Sequence, residues 1–120
     1  MRSRGDILEA ADRSYHAGKH FIIFYDGYDD NNFIGAMVTH QAEKNTPMIE
    51  SHFEKNDVNG NSYGFQFDNT NLVIAKLIKF EKWGPFSKIG KLTTSGIEFV
   101  EKAIGNLNEE TWETYKNRTK

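Results

Sequence analysis

The feature that most constrains the fold of this chain is a change of residue pattern near Gly90. Before Gly90, short apolar runs alternate with clusters of Asn, Gly and Asp that recur about every ten residues, a spacing typical of small antiparallel sheets. After Gly90, apolar residues recur at helical spacing, with charged residues between them. We therefore predict an α+β chain in which a small antiparallel β-barrel comes first and helices come last.

The apolar runs predict where the strands lie. Two of them are separated by the polar, Gly- and Asn-rich segment 26–32, which indicates a β-hairpin with a long connection. Segment 63–67 is expected to be a short strand or a turn, and segment 71–80 is the longest predicted strand. The candidate runs are residues 6–11, 20–25, 33–40, 48–53, 63–67 and 71–80.

Two helices are predicted after the sheet. Thr93 or Thr94 is a suitable N-cap for the first, and Gly105 is a suitable C-terminal stop. Asn108 is the predicted N-cap of the second helix. The apolar face of the first helix is expected to comprise Ile97, Val100, Ala103 and Ile104. We predict one domain over residues 1–120, with the barrel at about 4–92 and the helices at about 93–118.

Composition excludes several classes of protein. The chain has 120 residues, enough for one domain with its own core, and an aromatic content of 13% argues against a disordered chain. It has no cysteine, which rules out disulfides, thiolate zinc sites and thiol catalysis. The apolar runs fall short of the ~20 residues that a membrane span needs, and residues 1–14 contain no apolar stretch. We expect a cytoplasmic protein with no membrane segment and no cofactor.

Several short motifs, taken in order, resemble the PemK/MazF-like toxin family. A Gly-Asp pair precedes the first strand, a Gly-containing basic segment precedes the second, and a later strand ends in Thr, as in that family. The similarity extends over about residues 4–104. The matching segments are Arg4-Gly5-Asp6-Ile7, Gly18-Lys19-His20, Val38-Thr39-His40-Gln41, Tyr63-Gly64-Phe65, 72–79 and Ile89-Gly90-Lys91-Leu92.

This resemblance implies a fold and an activity. The family has an SH3-like antiparallel barrel with a C-terminal helix and is usually homodimeric. Most members are endoribonucleases that cleave single-stranded RNA without a metal, and each is neutralised by an antitoxin protein. The expected partners of this chain are therefore single-stranded RNA, an antitoxin and a second copy of itself.

The resemblance also implies catalytic residues. Thr39 matches the family's Thr or Ser at the end of a strand, and its hydroxyl can donate to a phosphate oxygen. Lys19 and His20 stand where the family has Arg-Pro. Lysine stabilises negative charge but cannot grip a phosphate with two nitrogens, while histidine exchanges a proton near neutral pH. The predicted catalytic residues are Lys19, His20 and Thr39, with no metal ligands.

Further residues are predicted to bind the substrate. Five lysines and one glutamate lie between Lys76 and Lys91, interleaved with aromatic residues, a combination that suits single-stranded nucleic acid. Strand alternation is expected to place Lys76 and Lys82 on one face and Lys79 on the other. It is also expected to turn His40 away from Thr39, unless the strand ends there. The predicted substrate-binding residues are His16, Gln41, Lys76, Lys79 and Lys82.

Two other classes of function remain open. The departure from Arg-Pro at Lys19-His20 fits a barrel that has lost catalysis and serves as a protein- or nucleic-acid-binding module. Alternatively, the chain is a small regulatory protein whose acidic loop 26–30 mimics phosphate towards a basic partner. The same loop does not have the spacing of an EF-hand, so a polar hairpin loop is preferred over a calcium site.

Overall fold

The computed structural model describes residues 2–10, 21–83 and 85–120. Within these ranges the chain forms eight strands, two single-turn 3-10 helices (Glu50–His52 and Glu81–Trp83) and two α-helices. The strands are β1 (Asp6–Ala10), β2 (Phe21–Gly27), β3 (Asn32–Thr39), β4 (Thr46–Pro47), β5 (Asn71–Leu72), β6 (Lys76–Phe80), β7 (Phe86–Lys91) and β8 (Glu109–Glu110). The helices are α1 (Thr94–Ile104) and α2 (Trp112–Arg118).

The strands belong to one sheet. Its main path runs β4-β5-β3-β2-β1-β7. Strand β3 pairs with β5 at residues 38–39 and with β6 at residues 32–35. These pairings are antiparallel, whereas β8 joins β6 in parallel. Across the described ranges this ladder does not close into a barrel. The predicted α+β class, with an antiparallel sheet followed by helices, is confirmed at that level.

Apolar side chains cover both faces of the sheet. Neighbouring residues of one strand point to opposite faces, so Ile23 belongs to one cluster and Ile22 to the other. Helix α1 covers the first cluster through Val100 and Ile104, and helix α2 reaches the second through Tyr115. Six successive residues of β3 are buried, as expected for a strand packed on both sides.

Two of the predicted strands differ from the structure, and a third segment, predicted as a short strand or a turn, is not a strand. Segment 71–80 is two strands: Leu72 pairs with Val38 and Leu77 with Gly35, so the segment carries two more residues than the stretch of β3 that it faces. The additional residues lie within 73–75, where Val73 N–H still donates to the carbonyl of Met37 and both Val73 and Ala75 are buried. Segment 48–53 contains a 3-10 turn instead of a strand. Segment 63–67 forms no strand, although Phe65 N–H donates to the carbonyl of Ile89 over 3.1 Å.

The first helix is as predicted, and the second begins later than predicted. The Thr93 hydroxyl accepts a hydrogen bond from Gly96 N–H at the start of α1, and Gly105 is its C-cap. Thr111, and not Asn108, caps α2, because Glu109 and Glu110 form strand β8. The longer helix has 11 residues, so no helix in the described part of the chain can span a bilayer.

Candidate functional site

The predicted threonine lies where three strands meet. Val38 pairs with Phe21 at the start of β2, and Thr39 pairs with Asn71 of β5. Strand β3 ends at Thr39, and a shallow cleft of about 170 Å³ opens there. The side chains that give this Thr39 cleft its chemistry are Phe21, Thr39, His40, Phe65, Gln66 and Thr70.

Two hydrogen bonds fix the backbone around Thr39. Its Oγ1 accepts from the Gln41 N–H over 3.2 Å, and its carbonyl accepts from the Asn71 side-chain amide over 3.3 Å. Because Oγ1 is the acceptor in the first bond, the hydroxyl hydrogen can still donate to a ligand. Gln41 is exposed beside it, and its carbonyl accepts from the Asn45 amide over 2.9 Å. The local turn therefore holds Thr39 ready to act as a donor.

His40 lies at the same cleft as Thr39. Strand alternation would have turned the two side chains to opposite faces, but β3 stops at Thr39 and His40 lies beyond the strand. The sequence predicted that His40 and Thr39 could face the same site only if the strand ended there, and β3 does end at Thr39. His40 is exposed and was not among the predicted site residues. A strand end cannot be located to one residue from alternation alone.

The two phenylalanines give the cleft an apolar wall. The rings of Phe21 and Phe65 meet edge to face, with centroids 5.2 Å apart and an interplanar angle of 89°. Both side chains are half-buried, so part of each ring remains open to solvent. Neither ring was predicted as part of a site, because an isolated Phe in a strand is usually a core residue.

The basic residues predicted before β2 lie outside the described residues. His16, Lys19 and His20 all fall within the segment 11–20. The described chain resumes at Phe21, next to Val38.

The three predicted substrate-binding lysines do not share a surface. Lys76 is buried, and its ammonium donates to the carbonyl of Gly105 over 2.9 Å. Lys79 lies on the other face, as predicted, but it is buried against Met37 and Trp112. Lys82 is exposed but lies in a 3-10 turn, because β6 ends at Phe80. The prediction that Lys76 and Lys82 share a strand face is therefore wrong.

The acidic loop forms a compact turn. Asp29 Oδ1 accepts from the Asn31 N–H over 2.8 Å and from the Asn32 side-chain amide over 3.0 Å. These bonds lower the pKa of Asp29, with the Asn31 backbone bond contributing most. The carboxylate of Asp29 is therefore already hydrogen-bonded to its neighbours within the loop. Among residues 2–10, 21–83 and 85–120, no group of three His, Asp or Glu side chains is placed to hold a metal ion.

A comparison with known proteins found no relative of this chain: no protein-family model, curated protein or solved structure matches it.

Proposed function

We propose that this chain is a metal-independent endoribonuclease that cleaves single-stranded RNA at the Thr39 cleft, as a toxin of the PemK/MazF type does. The observation that carries the proposal is the pairing of Phe21 with Val38, which brings the start of β2 beside the end of β3. The sequence Lys19-His20 immediately precedes Phe21. The proposal includes an SH3-like relationship, a cytoplasmic site of action, a homodimer and a neutralising antitoxin.

The chemistry requires a base, an acid and a donor to the phosphate. A base removes the proton of the 2′-hydroxyl, O2′ bonds to phosphorus, the bond from phosphorus to O5′ breaks, and an acid protonates O5′. The products are a 2′,3′-cyclic phosphate and a 5′-hydroxyl. Thr39 donates to a non-bridging oxygen, where negative charge develops. His40 and His20 are the proposed proton carriers, and Lys19 adds positive charge.

The apolar wall of the cleft suits an unpaired base. Phe21 and Phe65 line the cleft beside Thr39 as partly buried rings, and bases stack on aromatic rings without strong sequence preference. Gln66 lies in the same cleft and carries both amide donors and an acceptor for a base edge. A single-stranded substrate fits these groups better than a duplex, whose bases are already stacked.

The test is cleavage of a mixed single-stranded RNA by the purified protein in EDTA, with both product ends mapped. Thr39→Ala should reduce the rate by about 10²-fold or more, and Thr39→Ser should retain most of it. Thr94→Ala, an exposed threonine at the start of α1, is the matched control and should cleave like the wild type. Undiminished cleavage by both Thr39→Ala and the double variant Lys19→Ala/His20→Ala would refute the assignments.

The second candidate is a binding module without catalysis. The burial of Lys76 and Lys79 favours the protein-binding form of this module, because buried lysines cannot line an RNA path in this conformation. A preparation that binds RNA or a protein partner tightly, and leaves the RNA intact after long incubation, would select this candidate over the nuclease.

A further inference from the structure

A second, larger cleft lies at the opposite end of β3 from Thr39. It has a volume of about 650 Å³, and we call it the Arg2 cleft: Leu8, Phe24, Phe33 and Phe86 lie along it with Arg2 and Glu81. Asn32, the first residue of β3, also lines it, roughly 23 Å along the strand from Thr39. Among the described residues the two clefts share no lining residue.

A guanidinium group already occupies this cleft. The Arg2 Cζ lies 5.1 Å from the centre of the Phe33 ring and 5.8 Å from that of Phe86. Its Nη1 donates to both carboxylate oxygens of Glu81, at 2.8 and 2.7 Å. Aromatic faces together with a carboxylate are the environment that recognises a guanidinium most strongly. The two rings and the Glu81 carboxylate can therefore bind an arginine side chain from this chain or from another one.

The charges around the cleft favour a cation once Arg2 leaves. Its lining carries the carboxylates of Asp6, Asp29 and Glu81 against the cations of Arg2 and Lys88. Without Arg2, one cation faces three carboxylates. A nucleic-acid phosphate would be repelled by this arrangement, whereas an arginine or lysine side chain would be attracted.

Asp6 is the buried carboxylate in the lining of the cleft. Its side chain is 3% exposed, and its Oδ2 accepts from the Ser3 N–H over 2.8 Å. Its Oδ1 forms an ion pair with Lys88 Nζ at 3.3 Å and accepts no hydrogen bond from the rest of the described chain. Asp6 therefore adds a buried negative charge to the lining of the cleft, where it is paired with Lys88.

We propose that the Arg2 cleft binds an arginine side chain from a cationic segment of a partner protein, and that Arg2 fills the site in the partner's absence. Arg2 lies outside the strands, ahead of β1, so its side chain can leave without breaking the sheet. Arg2 competes with the partner's arginine for the cleft. The apparent affinity for the partner's arginine is the intrinsic affinity multiplied by the fraction of time that Arg2 is out of the cleft.

The test uses a glycine–serine peptide with blocked ends whose only charge is one central arginine, titrated by NMR against the amide signals of Phe33, Glu81 and Phe86. Arg2→Gln should bind this peptide about tenfold more tightly than the wild type, the gain expected if Arg2 fills the site about nine-tenths of the time. The double variant Arg2→Gln/Glu81→Gln should lose the gain. A peptide with citrulline in place of arginine should not bind, since it lacks the charge.

Arg4→Gln is the matched control, because Arg4 packs on Tyr25 and donates to the carbonyl of that residue, away from the cleft. It should bind the peptide like the wild type. In the wild type itself, millimolar arginine peptide should shift the Arg2 Nε–H signal, a readout that does not depend on a variant's folding.

Three results would overturn the proposal: equal affinity in the wild type and Arg2→Gln, equal binding of the citrulline peptide, or displacement of the peptide by oligouridylate. RNA cleavage should be unaffected by Arg2→Gln, so this result and that of the nuclease test are separable.

Discussion

The side-chain nitrogen of Lys79 lies 3.7 Å from the sulfur of Met37, inside the second apolar cluster. The ring of Trp112 covers the same nitrogen, with 5.9 Å between Nζ and the ring centre. Burial lowers the pKa of Lys79 from 10.5 to about 8, because the apolar surroundings disfavour the charged form. At neutral pH the folded protein therefore holds a mostly protonated lysine where a neutral side chain would be more stable.

Replacing this lysine with Met should stabilise the protein. A fall in pKa from 10.5 to about 8 corresponds to a cost of about 3 kcal/mol for the buried charge at pH 7. Lys79→Met keeps the apolar stem and removes the charge, so we expect the free energy of unfolding, measured with urea at pH 7, to rise by about 2–3 kcal/mol. Lys82→Met, at an exposed position, should change it by less than about 0.5 kcal/mol.

The pH dependence gives a second check on Lys79. Its folded pKa lies below its unfolded value, so the unfolded chain binds more protons between about pH 8 and 10.5. Stability from this group therefore rises with pH across that window and is constant below it. The difference in stability between Lys79→Met and the wild type should shrink from pH 8 to 10.5. A difference that stays constant over this range would contradict the burial of a charged Lys79.

Lys76 should have the opposite effect when it is replaced. Its ammonium donates to the carbonyl of Gly105 over 2.9 Å and lies 5.3 Å from the centre of the Tyr25 ring. Gly105 is the C-cap of α1, where the helix dipole favours a positive charge. Lys76→Met should lower the free energy of unfolding by about 1.5–3 kcal/mol, the value of a hydrogen bond to a charged group.

Lys102 provides the control for Lys76, because it is an exposed cation in the last turn of the same helix. Lys102→Met should lower the free energy of unfolding by only about 0.3–0.5 kcal/mol, the contribution of a solvated charge near a helix end. Equal losses in the two variants would mean that the charge alone matters and that the bond to Gly105 does not.

The contrast between these lysines shows what the sequence could and could not predict. Alternation places Lys76 and Lys79 on opposite faces of β6, as the structure does. It does not show that both faces are covered, because the carbonyl that binds Lys76 and the ring that covers Lys79 come from segments about thirty residues further on, after α1 has folded back. Burial of a long cationic side chain depends on such distant partners.

The strand boundaries failed for a related reason. The apolar run 71–80 reads as one strand, and only the register against β3 shows that it has two more residues between Leu72 and Leu77 than β3 has opposite them. Strand β8 consists of two glutamates paired with β6, which no propensity favours. In contrast, α1 was predictable because its cap Thr93 and its apolar face depend on local sequence alone.

His52 should make the protein sensitive to acid. Its side chain is buried, its ring lies 4.4 Å from that of Phe99, and its Nδ1 accepts from the Ile49 N–H over 3.1 Å. Desolvation lowers the pKa of His52 below 6.5, so the unfolded chain binds more protons as the pH falls. Stability should therefore decrease as the pH drops from 6.5 through the folded pKa. The measurement is urea unfolding between pH 7 and pH 5.

A variant can separate this titration from packing. His52→Asn retains an acceptor for the Ile49 N–H but does not titrate, so its stability should fall less steeply with acid than that of the wild type, whatever its stability at pH 7. A slope in His52→Asn as steep as that of the wild type would assign the acid sensitivity to other groups.

Gly5 should not tolerate a side chain. Its φ of +97° lies in the left-handed region, and a Cβ there would approach Cγ1 of Ile97 to 2.7 Å. Gly5 also ties the start of β1 to its neighbours, since its N–H donates to Phe24 and its carbonyl accepts from Leu92. Gly5→Ala should lower the free energy of unfolding by about 1–3 kcal/mol, from backbone strain and the clash with α1.

Gly27→Ala is the control, because a Cβ at Gly27 would meet nothing within 4 Å and φ there is not positive. It should be neutral, or stabilising by up to about 1 kcal/mol, in the same urea titration. Similar losses in the two variants would show that the effect is the general cost of replacing a glycine in this sheet and not the contact between Gly5 and Ile97.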